Sequence, residues 1–488
     1  MEYTALCKGL LKQAALKPGV ELKDYQQRAA NKIKEQGSLV VAHGTGTGKT
    51  VTSIAGVEAL RNEGKAGKVL VVVPASLKTN FAYNGLKKFT TGVTHQIIET
   101  GKDNPKNKDY LIVSNTMFAK DPERYLQDRD TLILDEGHNA RNTRTQLYES
   151  LKSVLPKLKN RVVLTASPFN NSPGDLASLL NLVKDDSKYT QGGILSQYVK
   201  PITKKKLFSS SPQVIEEEFV PDEMLTKDLK TFVDYEPGKE DLPEVERSVV
   251  KVPMTPEQKR VYSYAWEALP PNVRAAIKKD LLPERNELFS FFGHIAHARL
   301  ASNNPSALLK KPVEKPYTVS GKALYIKDSL PPADPKLGDI IYSNYSEHGV
   351  DVLSQMFDDE GISYSKIKGG MKSQDKDAEI EKFKKGKAKV FLTTPTGKEG
   401  ISIPNARGIV IHDPHWNPEV TRQAMGRGVR FDSIADKVYL KELLAVTPPQ
   451  KNIFGKTKPR DNSVEEWIKS VSDKKLRLQK QVYSYFGS

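Results

Sequence analysis

Residues 39–50 read LVVAHGTGTGKT, and Asp135-Glu136-Gly137-His138 begin 86 residues beyond Lys49. An apolar run, a glycine-rich loop and a Lys-Thr pair opening a helix make a cradle for phosphate. Loop amides around Gly46, Thr47 and Gly48 and the helix N-terminus point at the phosphates, Lys49 neutralises them, and the Thr50 hydroxyl can hold Mg2+. The Asp-Glu pair closes a second apolar run, TLIL, and supplies one carboxylate for the metal and one for the attacking water. Together these residues predict hydrolysis of a nucleoside triphosphate. The strict phosphate-loop pattern has glycine where this chain has His43, but the stretch from Gly46 to Thr50 is intact.

The elements that must position these groups are legible as apolar runs. Those at 39–43, 69–73, 110–114, 131–134 and 161–165 read as buried parallel strands, with amphipathic stretches such as 50–62 as the crossover helices. Residues 20–212 are therefore expected to form one doubly wound α/β domain after a short extension, 1–19. Residues 213–250 are acidic and carry Pro221, Pro237 and Pro243, and are expected to be largely irregular. A helical insertion follows, opened by Pro256, with Tyr262, Trp266 and Leu269 at core spacing. A second α/β domain is expected over 337–450, with strands near 339–344, 364–369, 389–394, 408–413 and 437–446 and helices near 348–360 and 374–385. A basic helical tail occupies 451–488.

Composition narrows the partners. The 488 residues hold 75 Lys and Arg against 59 Asp and Glu, a net charge of +16. Residues 213–247 run against that trend with 12 acidic and 4 basic side chains, while 366–389 and 451–488 each hold 9 basic and 4 acidic ones. Basic tracts beside a nucleotide site suit a nucleic-acid partner bound through its phosphates, in a sequence-independent and salt-sensitive way. Cys7 is the only cysteine, which fits a reducing intracellular compartment, cytoplasm or nucleus, and excludes a cysteine zinc site. No run approaches the roughly 20 apolar residues of a membrane span. His294 and His297 lack further ligands around them and read as ordinary core or surface histidines.

The second half contributes Gln423-Ala-Met-Gly-Arg427-Gly-Val-Arg430, arginines of a kind that can stabilise charge on a transferring phosphoryl group. With this stretch the ordered motifs resemble the superfamily-two helicases and translocases. Tyr25-Gln26 in LKDYQQRAA resembles the adenine-reading motif, AHGTGTGKT the first motif, VVVPASLKTNF (71–81) the strand-binding motif and DEGH the Asp-Glu-x-His box. LTASPFNNSP (164–173) is similar to the third motif, TTPTGKEGISIPNA (393–406) to the fifth and QAMGRGVR to the sixth. Within that superfamily MTPEQKRVYSYAWEAL (254–269), HIAHARLASNNP (294–305) and HDPHWNPEVTRQAMGRGVR (412–430) most resemble the Swi/Snf-like ATPases, and the tail SVEEWIKSVSDKKLRLQKQV (463–482) resembles the closing helix of such proteins and of related NTPases of large DNA viruses. His43-Gly44-Thr45 departs from that family's usual acidic tripeptide.

The resemblance implies two RecA-like domains in tandem with a helical insertion between them, and ATP and Mg2+ as cofactors. It implies that Gln26 reads adenine, that Gly46, Thr47, Gly48 and Lys49 hold phosphates, and that Thr50 and Asp135 hold the metal. Glu136 then orients water, Gln423 senses the nucleotide, Arg427 and Arg430 complete the site, and His138 couples it to Ser167 or Gln423. Candidate backbone contacts for nucleic acid are Ser76, Lys78, Ser114 and Asn115 in the first half and Gly370, Thr394, Gly397 and Lys398 in the second. Trp416 is either a stacking platform or a buried loop anchor. Translocation on duplex DNA is the expected activity. The alternatives are strand separation on branched DNA or RNA, and an ATP-gated binding subunit of a transcription or restriction assembly.

Overall fold

Along each central strand the side chains alternate between two cores, as a pleated sheet covered on both faces requires. Val40 and Ala42 enter one hydrophobic cluster and Leu39 and Val41 the other; Leu70 and Val72 divide in the same way from Val69, Val71 and Val73. The chain was obtained as a computed structural model. It describes residues 16–44, 46–169, 172–185, 189–204, 213–238, 242–283, 288–332, 334, 336–394, 403–429, 433–451, 457–458 and 460–487.

Contacts divide the chain into two compact units. The first comprises 1–200, 218–238 and 478–488, and the second 201–217 and 239–477. In the first unit, strands β1 (Ser38–His43), β2 (Lys68–Val73), β3 (His95–Ile97), β4 (Tyr110–Ser114), β5 (Arg129–Leu134) and β6 (Asn160–Thr165) form a parallel sheet in the order β3-β4-β2-β5-β6-β1. Strands β7 (Val199–Lys204) and β8 (Gln213–Phe219) form a separate ribbon. A seventh strand, β9 (Val233–Glu236), then joins the main sheet beside β1, also in parallel. The helices Asp24–Gln36 and Lys49–Asn62 cover one face. Gly56 of the second helix lets it lie against Ile33 of the first, where an added Cβ would come within 2.7 Å of that side chain.

The second unit holds a six-stranded parallel sheet of β10 (Glu244–Pro253), β11 (Gly338–Tyr342), β12 (Tyr364–Ile367), β13 (Val390–Thr393), β14 (Ala406–Ile411) and β15 (Lys437–Val446). Their order is β10-β15-β14-β11-β13-β12. The two parallel sheets with helices on their faces are the expected α/β architecture. The segment 213–250 is not irregular, however. It contains β8, the helix Glu223–Phe232, β9 and most of β10, and it contributes a strand to each main sheet. Pro221, Pro237 and Pro243 lie between these elements and not inside them, and Asp222 caps the helix by accepting from Leu225 N. The units accordingly do not follow the contiguous boundaries expected from the sequence.

The helices Pro256–Glu267, Pro271–Lys278 and Leu288–Asn303 build a separate core in the second unit, together with residues 464–471 of the long helix Val464–Tyr483. Tyr262 and Leu269 are buried there, and Trp467 donates from Nε1 to Leu281 O at 2.9 Å. Nearby, Lys322 and Glu465 form a fully buried ion pair at 2.7 Å, and the other Glu465 oxygen accepts from Ala445 N. Lys322→Ala strands a buried carboxylate, so this change is expected to lower stability by about 3–5 kcal/mol. A denaturant titration of the variant measures the loss.

Candidate active site

The loop after β1 is held open by its own backbone. Gly46 and Gly48 have φ of +81° and +77°, values that side-chain-bearing residues reach only with strain, and Gly48 caps the helix that starts at Lys49. Thr47 Oγ1 donates to Gly44 O at 2.7 Å. Gln26 Nε2 donates to Thr47 O at 2.7 Å, while Gln26 Oε1 accepts from Lys23 N. Gln26 is thus built into the floor of the loop, a supporting role beyond the base-reading one expected of it. Lys49 Nζ donates to His43 O at 3.0 Å and Gly44 O at 3.1 Å, which places the ammonium inside the loop's mouth. This combination of left-handed glycines, a helix N-terminus and an inturned ammonium fits a triphosphate.

Asp135 and Glu136 follow β5, at the carboxyl edge of the same sheet. Asp135 is buried, and its Oδ1 accepts from Glu136 N at 2.9 Å. Burial and the neighbouring Glu136 carboxylate push the Asp135 carboxyl up to about 6. A cation in its place of use would oppose both effects, and the donor chemistry of Thr50 plus Asp135 suits Mg2+, which takes few protein ligands and completes its shell with water and phosphate. Among the described residues no cluster of three or more His, Cys, Asp or Glu could hold a metal alone. Burial would also raise Glu136, but His138, 3.1 Å away, and Lys49 bring its carboxyl below the ordinary value. Glu136 therefore stays ionised. Its φ of +52° is one of three left-handed non-glycine residues among those described. His138 is set against Glu136, and Thr165 Oγ1 clasps the Ser167 backbone after β6.

In the second unit Arg427 lies in the last turn of the helix Pro418–Gly428. It is buried, donates to Thr393 Oγ1 at 3.0 Å, and places its guanidinium 5.7 Å from the Tyr342 ring centre. Gln423 is exposed on the same helix. Arg430, Gly397 and Lys398 lie outside the described residues.

The expected nucleic-acid contacts fare unequally. Ser76 and Gly370 are exposed, and Gly370 turns the chain beyond β12 with φ of +83°. Asn115 opens the helix after β4 with its Oδ1 lacking a partner among the described residues. Lys78 is buried instead, and its ammonium goes to Ile98 O at 2.7 Å and Glu99 at 2.8 Å. Ser114 is buried and caps a helix by accepting from Met117 N. Thr394 is buried, and its carbonyl accepts from Arg427 and from Thr393 Oγ1. Trp416 stacks on Phe292 with ring centres 4.0 Å apart and has the Arg299 guanidinium 5.0 Å from its ring. Trp416 is thereby partly buried against the helical core of the second unit.

The SNF2-related domain family matches residues 25–307, more than half the chain, and the helicase conserved C-terminal domain matches 333–432. The chain belongs to the SNF2-related family. It is a nucleic-acid-dependent ATPase of the helicase and translocase class. Among relatives, an Acanthamoeba polyphaga mimivirus protein named "Putative ATP-dependent RNA helicase L538" is 24% identical over 94% of both chains. The ATP-dependent DNA helicase DDM1 of Arabidopsis thaliana is 23% identical over 84% of this chain and 57% of its own length. A solved Sulfolobus solfataricus SWI2/SNF2 ATPase core in complex with dsDNA has a TM-score of 0.42 at 21% identity, covering 90% of each chain. Among the described residues no helix is long and apolar enough to cross a membrane.

Sequence reasoning missed one residue at the heart of the site. Asp234 on β9 is fully buried and receives His43 Nε2 at 2.8 Å, Arg28 Nε at 3.0 Å and Lys32 Nζ at 2.8 Å. Burial would raise its carboxyl, but these three partners hold it at about 2. A lone Asp in an acidic stretch, 191 residues from His43, gave no local signal.

Proposed function

We propose that this ATPase tracks along double-stranded DNA. ATP is held by Gly46, Thr47, Gly48 and Lys49, with Gln26 supporting the loop and adenine side. Thr50 and Asp135 hold Mg2+, which supplies charge neutralisation at the phosphates. Glu136 orients the attacking water, and His138 keeps that carboxylate charged. Arg427 and Arg430 stabilise the charge that develops on the transferred phosphoryl group, and Gln423 and Ser167 report the nucleotide state. The reading rests above all on the phosphate loop and the Asp-Glu pair lying at the carboxyl edge of one parallel sheet, in a chain of the SNF2-related family.

Nucleic-acid phosphates are taken by Ser76 and Asn115 on the first unit and by Gly370, Gly397 and Lys398 on the second. Small polar groups of this kind grip a backbone without choosing bases. Lys78, Ser114 and Thr394 support the loops that carry them. Family membership and the relative named as a DNA helicase favour the duplex. The mimivirus relative's name motivates the second reading, RNA as the track.

Two assays in parallel separate them. ATPase rate is measured with duplex DNA, single-stranded DNA and RNA, and a third strand is annealed to duplex DNA as an obstacle. The expected result is greatest stimulation by the duplex and ATP-dependent displacement of the third strand. Stimulation by RNA alone would replace the DNA reading, and stimulation without displacement would leave an ATP-gated grip instead of a motor.

A further inference from the structure

Three separate parts of the first unit meet behind the phosphate loop. The loop leaves β1 at His43, whose buried imidazole bonds Asp234 of β9. Beside it, Gly44 N donates to Glu236 O at 2.8 Å, continuing the parallel ladder by one residue beyond His43↔Glu236. The turn after β9 also lies against the loop. A Cβ on Gly44 would fall 2.4 Å from Pro237 O, and one on Gly238 would fall 2.6 Å from the Thr47 side chain. β9 is thus a template against which the loop is shaped.

β9 is itself held from its far side by the residues that follow the long helix. Gly487 N donates to Val233 O at 3.0 Å, and Tyr235 N donates to Gly487 O at 2.8 Å, a parallel bridge centred on Asp234. Gly487 has no room for a side chain, since a Cβ would fall 2.4 Å from Lys230 O and 2.7 Å from Lys32 Nζ. Lys32 is one of the two helix cations on Asp234; Arg28 is the other and sits one turn earlier on the helix that carries Gln26. Aromatic packing fastens the same segment. Tyr483 lies 4.7 Å from Tyr235 and 5.5 Å from Phe169 of the third-motif loop, and Phe486 lies 5.8 Å from Tyr235.

We propose that Tyr483–Gly487, acting through β9 and Asp234, position the phosphate loop, so that nucleotide affinity depends on a segment more than 430 residues away in sequence. Asp234 and Gly487 are positioning residues and not catalytic ones, since the Asp234 carboxylate is engaged by His43, Arg28 and Lys32 and the Gly487 backbone by Val233 and Tyr235. His43, the departure from the strict loop pattern, adds a side-chain link to these backbone contacts: glycine there has no side chain with which to reach Asp234. The inference rests on the reading of residues 46–50 as the ATP cradle.

The test uses the full chain and three variants: Asp234→Asn, Gly487→Ala and a chain ending at Ser484. Equilibrium titration with a fluorescent ATP analogue gives Kd, and ATPase at saturating ATP and nucleic acid gives kcat. A shifted but assembled loop is expected to weaken nucleotide binding roughly tenfold to a hundredfold. The change should fall mainly on Kd and KM, with kcat reduced far less. Because the groups lie on one chain of contacts, Asp234→Asn combined with the shortened chain should weaken binding no more than the stronger single change. Gly487→Ala displaces the segment while leaving the chain whole, so it answers the question even if the shortened chain does not fold. Unchanged Kd in Asp234→Asn and Gly487→Ala, both melting cooperatively, would overturn the proposal. Lys49→Ala serves as the reference. If it too binds nucleotide normally, the cradle reading fails; if it alone loses binding, only the positioning role does.

Discussion

Glu136→Gln is expected to bind ATP as tightly as the parent chain and to hydrolyse it about 10²–10⁴-fold more slowly, the range that a positioned general base contributes. The change keeps the shape of the side chain and removes its charge. That charge is maintained against partial burial: desolvation of the half-buried carboxylate would favour its neutral form, but His138 and Lys49 hold the Glu136 carboxyl below its ordinary value. Its neighbour behaves oppositely, with Asp135 pushed up to about 6 by burial and by Glu136 itself. Two adjacent carboxyls therefore have separate tasks, one answering to the cations around it and one poised to gain from a metal. The left-handed backbone at Glu136 turns the chain sharply after β5, so that successive side chains leave the strand end in different directions. Single-turnover hydrolysis and equilibrium nucleotide binding separate the two effects. Parent-like turnover in Glu136→Gln would remove the residue from the mechanism, and lost binding would place it on the nucleotide instead of the water.

What the sequence made legible was whatever local pattern encodes. β1, β2, β4, β5 and β6 are continuous apolar runs because both of their faces are covered, and the catalytic motifs lie at their ends because parallel strands deliver them to one edge. Strands without that signature were missed. β9 is four residues with a buried aspartate in its middle, and β10 carries Glu244, Glu246, Arg247 and Lys251 because it is an edge strand of largely exposed side chains. Three prolines made both look like loop. Side-chain commitments were equally hidden. Lys78 reads as a cation free for phosphate, yet it is fixed by a carbonyl 20 residues away, and Ser114 reads as a phosphate donor while it caps a helix. The Arg28, Lys32 and His43 convergence on Asp234 joins residues about two hundred apart, a distance over which a single sequence carries no pairing signal.

Arg427→Ala is expected to cost about 10³–10⁵ in kcat, the effect of an arginine on a transferring phosphoryl group, while nucleotide affinity at the phosphate loop stays near that of the parent. The arginine is not a loosely tethered surface cation. It ends a helix whose first turn is capped by Asn417, and it donates to Thr393, the last residue of β13, so the carboxyl edge of the second sheet sets where it sits. The Tyr342 ring at the end of β11 lies beside the guanidinium and limits its swing. Such support matters because an arginine stabilises a transition state only to the degree that it needs no reorganisation when the charge appears. Arg427→Lys keeps the charge but loses the planar fork that engages two oxygens, so it should recover only a small part of the lost rate. Thermal melts of both variants separate this from a folding defect: the threonine contact and the ring contact lie within one unit, and their loss would lower that unit's melting temperature. A large fall in kcat with an unchanged melt assigns Arg427 to catalysis. Parent-like kcat in Arg427→Ala would leave the guanidinium as a brace between β13 and the helix, and the charge on the phosphoryl group would have to be met by other residues.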